Sequence, residues 1–229
     1  MKKSVLTIAL TLAAIVASAQ ESWFFPAQGK ENRYRTTSTA LTETTTLYTS
    51  TYVRSIADGT CTVQSDVYQS ENGTNPMQTV TAVYKITDEG YLPDMRETLK
   101  SAFAALGSLT VEEYSGDAVY PKNPHAGQSC DNITMTLAAD IMGNAVAVNI
   151  EVKDRKITAE ETVEVPAGKF DCLRFEETTI AKVMGQEVKT QTVTWIAKGI
   201  GTVKQKTDSM NGMVTALMEL TAIKDKQAQ

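Results

Sequence analysis

The sequence predicts a mainly β architecture, a curved or closed antiparallel sheet with one packed helix, and three observations predict it. Apolar residues recur at every second position over much of the chain, as in Val80, Ala82, Tyr84 and Ile86. Turn signals such as Asn72-Gly73, Pro166-Ala167-Gly168 and Asn211-Gly212 separate these runs at about ten-residue spacing. One stretch alone, Asp94 to Leu106, changes to steps of three and four.

The first element is a leader. Lys2 and Lys3 precede an apolar run from Val5 to Val16, and Ala17-Ser18-Ala19 follows with small residues where signal peptidase needs them. The run is shorter than the roughly 20 residues of a membrane span. The expectation is a signal peptide over residues 1–19, cleaved before Gln20, and a single β-rich domain over 20–229. With Gln20 rather than Cys as the first mature residue, no lipid-modified N-terminus is expected. No other stretch is long and apolar enough to span a bilayer as a helix, so the mature chain is expected in the periplasm or secreted beyond it.

Trp23, Phe24, Phe25 and Pro26 form an apolar clamp ahead of the polar residues 28–33. Leu41 to Ile56 reads as a long strand or a tight hairpin, and Cys61, Val63 and Val67 as the next strand. Val80 to Ile86 is a half-buried strand that ends at Asp88-Glu89-Gly90. In the helix, Met95, Leu99, Ala102, Phe103 and Leu106 make one apolar stripe. Asp94 is the N-cap, Glu97 completes a capping box and Gly107 ends the helix. Ile133, Met135 and Leu137 begin a run of strands that includes Val146 to Val152 and Ile157 to Val165. Phe170 to Val183 and Val188 to Ala197 flank the connection Met184-Gly185-Gln186. Thr202 to Thr207 and Met213 to Ile223 flank Asn211-Gly212, the strongest hairpin signal in the chain.

Charge and composition exclude several functions. Loss of Lys2 and Lys3 with the leader leaves 20 basic residues against 27 acidic, a net charge of −7. That surface lacks the basic patch on which phosphate-backbone binding depends, so no nucleic acid is expected as a partner. The lone histidine, His125, sits in a Pro/Gly loop and reads as a solvated side chain. It forecloses His-rich metal sites and leaves no Ser-His-Asp set beyond one loop residue. Cys61, Cys130 and Cys172 contain no C-x-x-C pair. They read either as small buried hydrophobes or as one Cys130–Cys172 bridge with a thiol left over. The doublets Glu112-Glu113, Glu160-Glu161 and Glu176-Glu177 put at most one carboxylate each on either face of a sheet. That leaves a carboxylate-pair hydrolase as a minor reading. Gly199-Ile200-Gly201 lacks the third glycine and the helix of a dinucleotide site, and no D-x-D-x-D-G calcium loop occurs. No catalytic, cofactor-binding or metal-binding residue is assigned, and no cofactor.

The runs YPKNPHAG (Tyr120 to Gly127), ETVEVPAGKFDCLRF (Glu161 to Phe175) and WIAKGIGTVKQ (Trp195 to Gln205) follow one another in the order seen in a family of exported bacterial proteins. The chain resembles this TapB-like group, of unknown function, over about residues 119–223. The resemblance implies an all-β fold akin to the half-barrels of lipoprotein carriers and a place in the cell envelope, and it brings no catalytic residues. Locally, Pro166 and Gly168 would set a turn anchored by Val163, Val165 and Phe170, and Gly199 and Gly201 would permit a bend. Trp195 reads as core or as a rim aromatic.

These readings favour a non-enzymatic binding module for an apolar or amphipathic ligand such as a lipid, held on the concave sheet face. A structural or interaction protein with an envelope protein partner is the alternative, and a hydrolase the third.

Overall fold

The computed structural model describes residues 22–226 apart from 41, 104–108, 116–117, 142–143, 184–185, 211 and 213. The leader expected over 1–19, and Leu106, Gly107, Met184 and Asn211 in the readings above, lie outside the described residues.

Alternating apolar positions and β-rich composition produce thirteen strands among the described residues. They are β1 (Lys30–Ala40), β2 (Glu43–Ala57), β3 (Thr60–Tyr68), β4 (Gln78–Ile86), β5 (Gly90–Pro93), β6 (Leu109–Ser115), β7 (Tyr120–Pro121), β8 (Ile133–Ile141), β9 (Asn144–Val165), β10 (Gly168–Val183), β11 (Gln186–Ala197), β12 (Gly201–Ser209) and β13 (Val214–Asp225). All lie in one antiparallel sheet in the order β6-β8-β9-β10-β11-β12-β13-β1-β2-β3-β4-β5-β7. The sheet is open, with β6 and β7 at its two ends. The single helix among the described residues, α1 (Met95–Phe103), touches both β4 and β6. Contact with strands so far apart in the order requires the sheet to curl. The curved sheet read from the sequence, and the half-barrel the resemblance implies, are found, and the closed alternative is not. Bulges at Arg33/Tyr34, Val53/Ser55, Arg174/Phe175 and Trp195/Ile196 supply local bends.

α1 begins with the Asp94 cap read from its sequence, but the Glu97 half of the capping box is not made, since Asp94 N–H donates to Val83 O at 2.7 Å. Asp94 Oδ1 accepts from the backbone N–H of Arg96 and of Glu97, both at 3.1 Å. These bonds satisfy two of the helix's otherwise orphaned donors. Met95 and Leu99 pack on Ile133, Met135 and Leu137, while Ser101 Oγ accepts from Thr81 N–H of β4 at 2.7 Å. The helix thus covers a stretch of β4 that β5 is too short to pair. Asp94→Ala is expected to cost about 1 kcal/mol, measured as a lower urea midpoint with an unchanged slope.

Two departures from the sequence reading have physical causes. The polar residues 28–33 open a full strand, β1, in the middle of the sheet. Its polarity is tolerated because partners on both faces take up most of it, though Asn32 Oδ1 stays buried without a hydrogen-bond partner. Asn32 Nδ2 donates to Ile200 O at 2.7 Å and Tyr34 OH to Thr202 O at 2.9 Å. On the other face Glu31 pairs with Arg33 and with Lys226. A second departure is β9, which is one strand of 22 residues where two apolar runs stood in the sequence. Asp154, at φ 55°, takes up the break as a bulge opposite Glu177. Beyond these, β5, β6 and β7 carry no apolar alternation that marked them as strands.

Candidate functional site

The face of the sheet that carries Ile157, Leu173, Phe175 and Ile196, with Val53, Cys61 and Val63, and receives α1 and the N-terminal segment is here called the inner face. On β10 and β11 the alternate residues Cys172, Trp195 and Ala197 belong to a further cluster on the other side. Residues 22–27 cross it as a strap. Trp23 and Phe24 pack against Ile157, Leu173, Phe175 and Ile196, and Phe25 against Val53, Cys61, Val63 and Tyr91. Phe25 meets the Tyr91 ring edge-on at 4.8 Å, and Phe24 meets Tyr120 at 4.7 Å. Backbone bonds stitch the strap to the β11–β12 turn, from Gly199 N–H to Ser22 O at 2.7 Å and from Ala27 N–H to Gly199 O at 2.9 Å. Gly201 lies directly beneath it. A Cβ there would stand 2.9 Å from Phe25 Cα, so the absence of a side chain at 201 is what lets the strap lie flat. The apolar end of the inner face is therefore filled by the chain's own aromatics.

Next to this cluster lies the most buried charge among the described residues. Arg155 is 2% exposed. The β9 bulge turns its side chain onto the inner face beside Glu177, with Nε 3.5 Å from Glu177 Oε2. Nη1 donates to Asp131 O at 2.8 Å, and the guanidinium lies 5.7 Å from both the Tyr120 and Phe175 rings. Nη2 is buried without a hydrogen-bond partner. Burial pushes the Glu177 carboxyl up, and the charge and hydrogen bond of Arg155 pull it back only in part, so it stays above its ordinary value.

Toward the hairpin tips the inner face changes character. Strand register carries the face from Phe175 to Glu177, Thr179 and Ala181 on β10, to Thr190 and Thr192 on β11, and to Gln205 and Thr207 on β12. It continues through Ala216 and Met218 of β13 to Thr36 and Ser38 of β1. All of these are half-buried, and Thr192 Oγ1 lies 3.2 Å from Thr207 Oγ1. The result is a broad, hydroxyl-lined stretch of sheet continuous with the aromatic end.

The outer face carries a polar network of its own. Asp66 accepts from Thr79 Oγ1 at 2.7 Å and from Gln64 Nε2 at 2.9 Å. Lys226 lies 3.8 Å over the Tyr52 ring and donates to Glu31 at 3.0 Å. Burial pushes the Tyr52 hydroxyl up to about 12, with Asp66 adding to the shift. Burial also pushes Glu31 up, but bonds from Lys226 and Ser50 and the charges of Arg33 and Lys226 outweigh it, and its carboxyl ends below the usual range. Two open grooves lie elsewhere. One of about 500 Å³ runs over Glu113, Thr134, Asn149 and Lys182, and one of about 490 Å³ lies between Trp23, Glu161 and Asp171.

The residues singled out from sequence are dispersed. His125 is exposed, with Nδ1 3.2 Å from Gln128 Oε1. All three cysteines are free thiols. Cys61 and Cys172 are buried and Cys130 half-buried, in three different apolar clusters, so the Cys130–Cys172 bridge does not form. Burial pushes the Cys61 thiol up to about 12 and the Cys172 thiol up to about 11, which holds both in the unreactive protonated form. Trp195 is half-buried at the edge of a core cluster, and its indole N–H bonds Glu161. Of the carboxylate doublets, Glu176 accepts from Thr158 Oγ1 at 2.8 Å and Glu177 faces Arg155 on the other side of the strand. Among the described residues no group of three or more His, Cys, Asp or Glu is placed to hold a metal ion. No described helix is long and apolar enough to cross a membrane. Sequence reasoning missed Arg155, because an Arg between Asp154 and Lys156 reads as a wet turn, and only the bulge turns it inward.

A protein-family model described as DUF3108-like matches residues 28–220. Among solved structures, a Bacteroides fragilis protein described as exported, with a YmcC-like fold, superposes with a TM-score of 0.63 at 18% identity, over 90% of this chain and 100% of that one. A Parabacteroides distasonis protein described as a lipoprotein superposes with a TM-score of 0.61 at 15% identity, over 89% of this chain and 99% of that one. At such identities the likeness is one of fold. No curated protein matches.

Proposed function

The chain belongs to the DUF3108-like family, and from that premise we propose that it is an exported, non-enzymatic binding module that holds an amphipathic ligand on the inner face of its sheet. One observation carries the reading. The inner face joins an aromatic, apolar end at Phe24, Phe25, Tyr120 and Phe175 to a half-buried hydroxyl stretch at Thr36, Thr179, Thr190, Thr192 and Thr207. A ligand with an apolar tail and a polar head matches that gradient. Export is supported by the leader pattern of residues 1–19. The resemblance to TapB-like proteins read from the sequence over about residues 119–223 favours an envelope location, as do the exported and lipoprotein descriptions of the two structural relatives.

Native mass spectrometry of protein purified without detergent tests the proposal. The expected result is an adduct that organic solvent removes and that lysophosphatidylethanolamine or oleate restores. Thr190→Lys, in the middle of the hydroxyl stretch, is expected to lower adduct occupancy severalfold. A bare mass that neither probe shifts would overturn the reading. That result would favour the second one, an envelope interaction protein, which is supported by the strap: Trp23, Phe24 and Phe25 already fill the apolar end. A hydrolase is less favoured. Burial raises the Glu177 carboxyl above its ordinary value, but its neighbour is Arg155 rather than a second carboxylate.

A further inference from the structure

Arg155 is anchored at one edge of its guanidinium and underused at another. Nη1 donates to Asp131 O at 2.8 Å, and the Tyr120 and Phe175 rings each lie 5.7 Å away, so the plane of the group is held in place. Nε and Nη2 share the remaining edge, a fork that fits two oxygens of a carboxylate or phosphate. Glu177 fills that fork poorly. Its Oε2 stands 3.5 Å from Nε, where a charge-assisted bond closes to about 2.7–2.9 Å. Nη2 is buried and has no hydrogen-bond partner. A buried charged donor without an acceptor is costly, so this edge has a bond to gain.

Of the two partners, Glu177 is the one free to leave. Its side chain is 25% exposed against 1% for Arg155, and burial keeps its carboxyl above its ordinary value despite the cation beside it. Beside it runs the hydroxyl stretch. Glu177 pairs in register with Thr192 of β11, and Thr192 with Thr207 of β12, a lateral row of half-buried side chains. The row ends on the Glu177 carboxylate, with the guanidinium from β9 beyond it. We propose that the Nε and Nη2 fork of Arg155 is the seat of an anionic head group, a carboxylate or phosphate ester, and that Glu177 holds the place in the free protein. No ready-made void is needed, because the head takes the position of the Glu177 carboxylate, which swings out into water. Two oxygens of the head then fill Nε and Nη2 together, and Thr192, next along the row, adds a hydroxyl donor. The seat lies at the border between the aromatic end and the hydroxyl stretch, where an amphiphile changes from tail to head. Naming the head in this way rests on the proposed binding role.

Equilibrium binding of oleate, oleyl alcohol, lysophosphatidylethanolamine and acetate to the purified protein tests the proposal. Oleate is expected to bind at least about tenfold tighter than oleyl alcohol, which has the same tail and no charge. Glu177→Gln removes the competing carboxylate and is expected to bind oleate severalfold tighter than wild type. Glu176→Gln makes the same charge change on the other face of β10 and is expected to bind as wild type. Arg155→Met is expected to bind oleate no better than the alcohol. Should that variant fold poorly, the double variant of Arg155→Met and Glu177→Gln, neutral at both positions, is expected to show the same loss of preference. A loss for either charged amphiphile supports the seat, and the larger loss names the head, carboxylate for oleate or phosphate for lysophosphatidylethanolamine. Oleate binding that Glu177→Gln leaves unchanged or weakens, or that the double variant retains in full, would overturn the seat. The two proposals fail separately. Oleate and the alcohol binding alike refutes the seat and leaves the binding module standing. Acetate bound as tightly as oleate, and lost in the double variant, refutes the amphiphile and leaves the seat. No binding by any probe refutes both.

Discussion

Gly90→Ala is expected to destabilise the protein by about 3 kcal/mol, the upper part of the usual range for forced overpacking. A Cβ at this position would stand 2.1 Å from the carbonyl oxygen of Tyr120, 2.9 Å from its carbonyl carbon and 3.0 Å from Pro121 Cα. All three are backbone atoms, so no side chain can swing aside, and β7 itself must retreat. β7 is only two residues long. It is held by the pairs Gly90–Pro121 and Tyr91–Tyr120 and by the bond from Lys122 N–H to Glu89 O at 3.0 Å. Its retreat would carry the Tyr120 ring away from Phe24 and from the Arg155 guanidinium, loosening the centre of the inner face. Gly201→Ala, at φ 84° and with Phe25 backbone atoms at 2.9–3.0 Å, is expected to cost nearly as much by lifting the strap. Gly59→Ala is the control. At φ 71° with nothing within 4 Å, it meets only left-handed backbone strain of about 1 kcal/mol. Urea midpoints at constant slope measure all three. A Gly90→Ala effect no larger than that of Gly59→Ala would show that β7 does not sit against β5.

These glycines mark where sequence reasoning succeeds and where it stops. Gly201 stands out in the sequence because Gly199-x-Gly201 follows a strand, and a bend there is indeed found. That the bend makes room for Phe25, some 175 residues earlier in the chain, is a tertiary fact no local pattern encodes. Gly90 reads only as the end of β4, since a two-residue partner strand has no periodicity to detect. α1 and its Asp94 cap, β3, β4 and the hairpins of the second half were legible because burial of one face imposes period two or three-and-four on the sequence. β1 was not, because the partners of Glu31, Asn32 and Tyr34 are as distant as Ile200, Thr202 and Lys226. The hydroxyl stretch was half legible: threonines mark strands, but which face they line follows from register.

Arg155→Met is expected to cost about 3 kcal/mol near neutral pH, the low end of the range for breaking a buried ion pair. The low end applies because 25% of the Glu177 side chain still meets water. Methionine can occupy the slot between Tyr120 and Phe175 and make favourable sulfur–ring contacts, so the loss reports charge more than volume. What remains is a desolvated Glu177 with no cation beside it. The pH dependence distinguishes this from a packing defect. In wild type, burial holds the Glu177 carboxyl above its ordinary value despite Arg155. Folding therefore favours its protonated form. The stability tied to that proton is fully present below the unfolded value of about 4.5 and is lost as pH rises through the raised folded value. Removing Arg155 removes the downward pull, so the gap between Arg155→Met and wild type should be small near pH 4 and widen toward neutrality. Glu177→Gln cannot titrate, and its stability relative to wild type should improve over the same interval. The double variant replaces both charges. It should lose the pH dependence and recover to within about 1 kcal/mol of wild type, since exchanging a whole buried pair for uncharged groups is often close to neutral. Denaturation curves at several pH values would read all four proteins. An Arg155→Met deficit that stays constant with pH, or that Glu177→Gln fails to relieve, would mean that the guanidinium serves the fold through Asp131 and the aromatic rings rather than through its partner carboxylate.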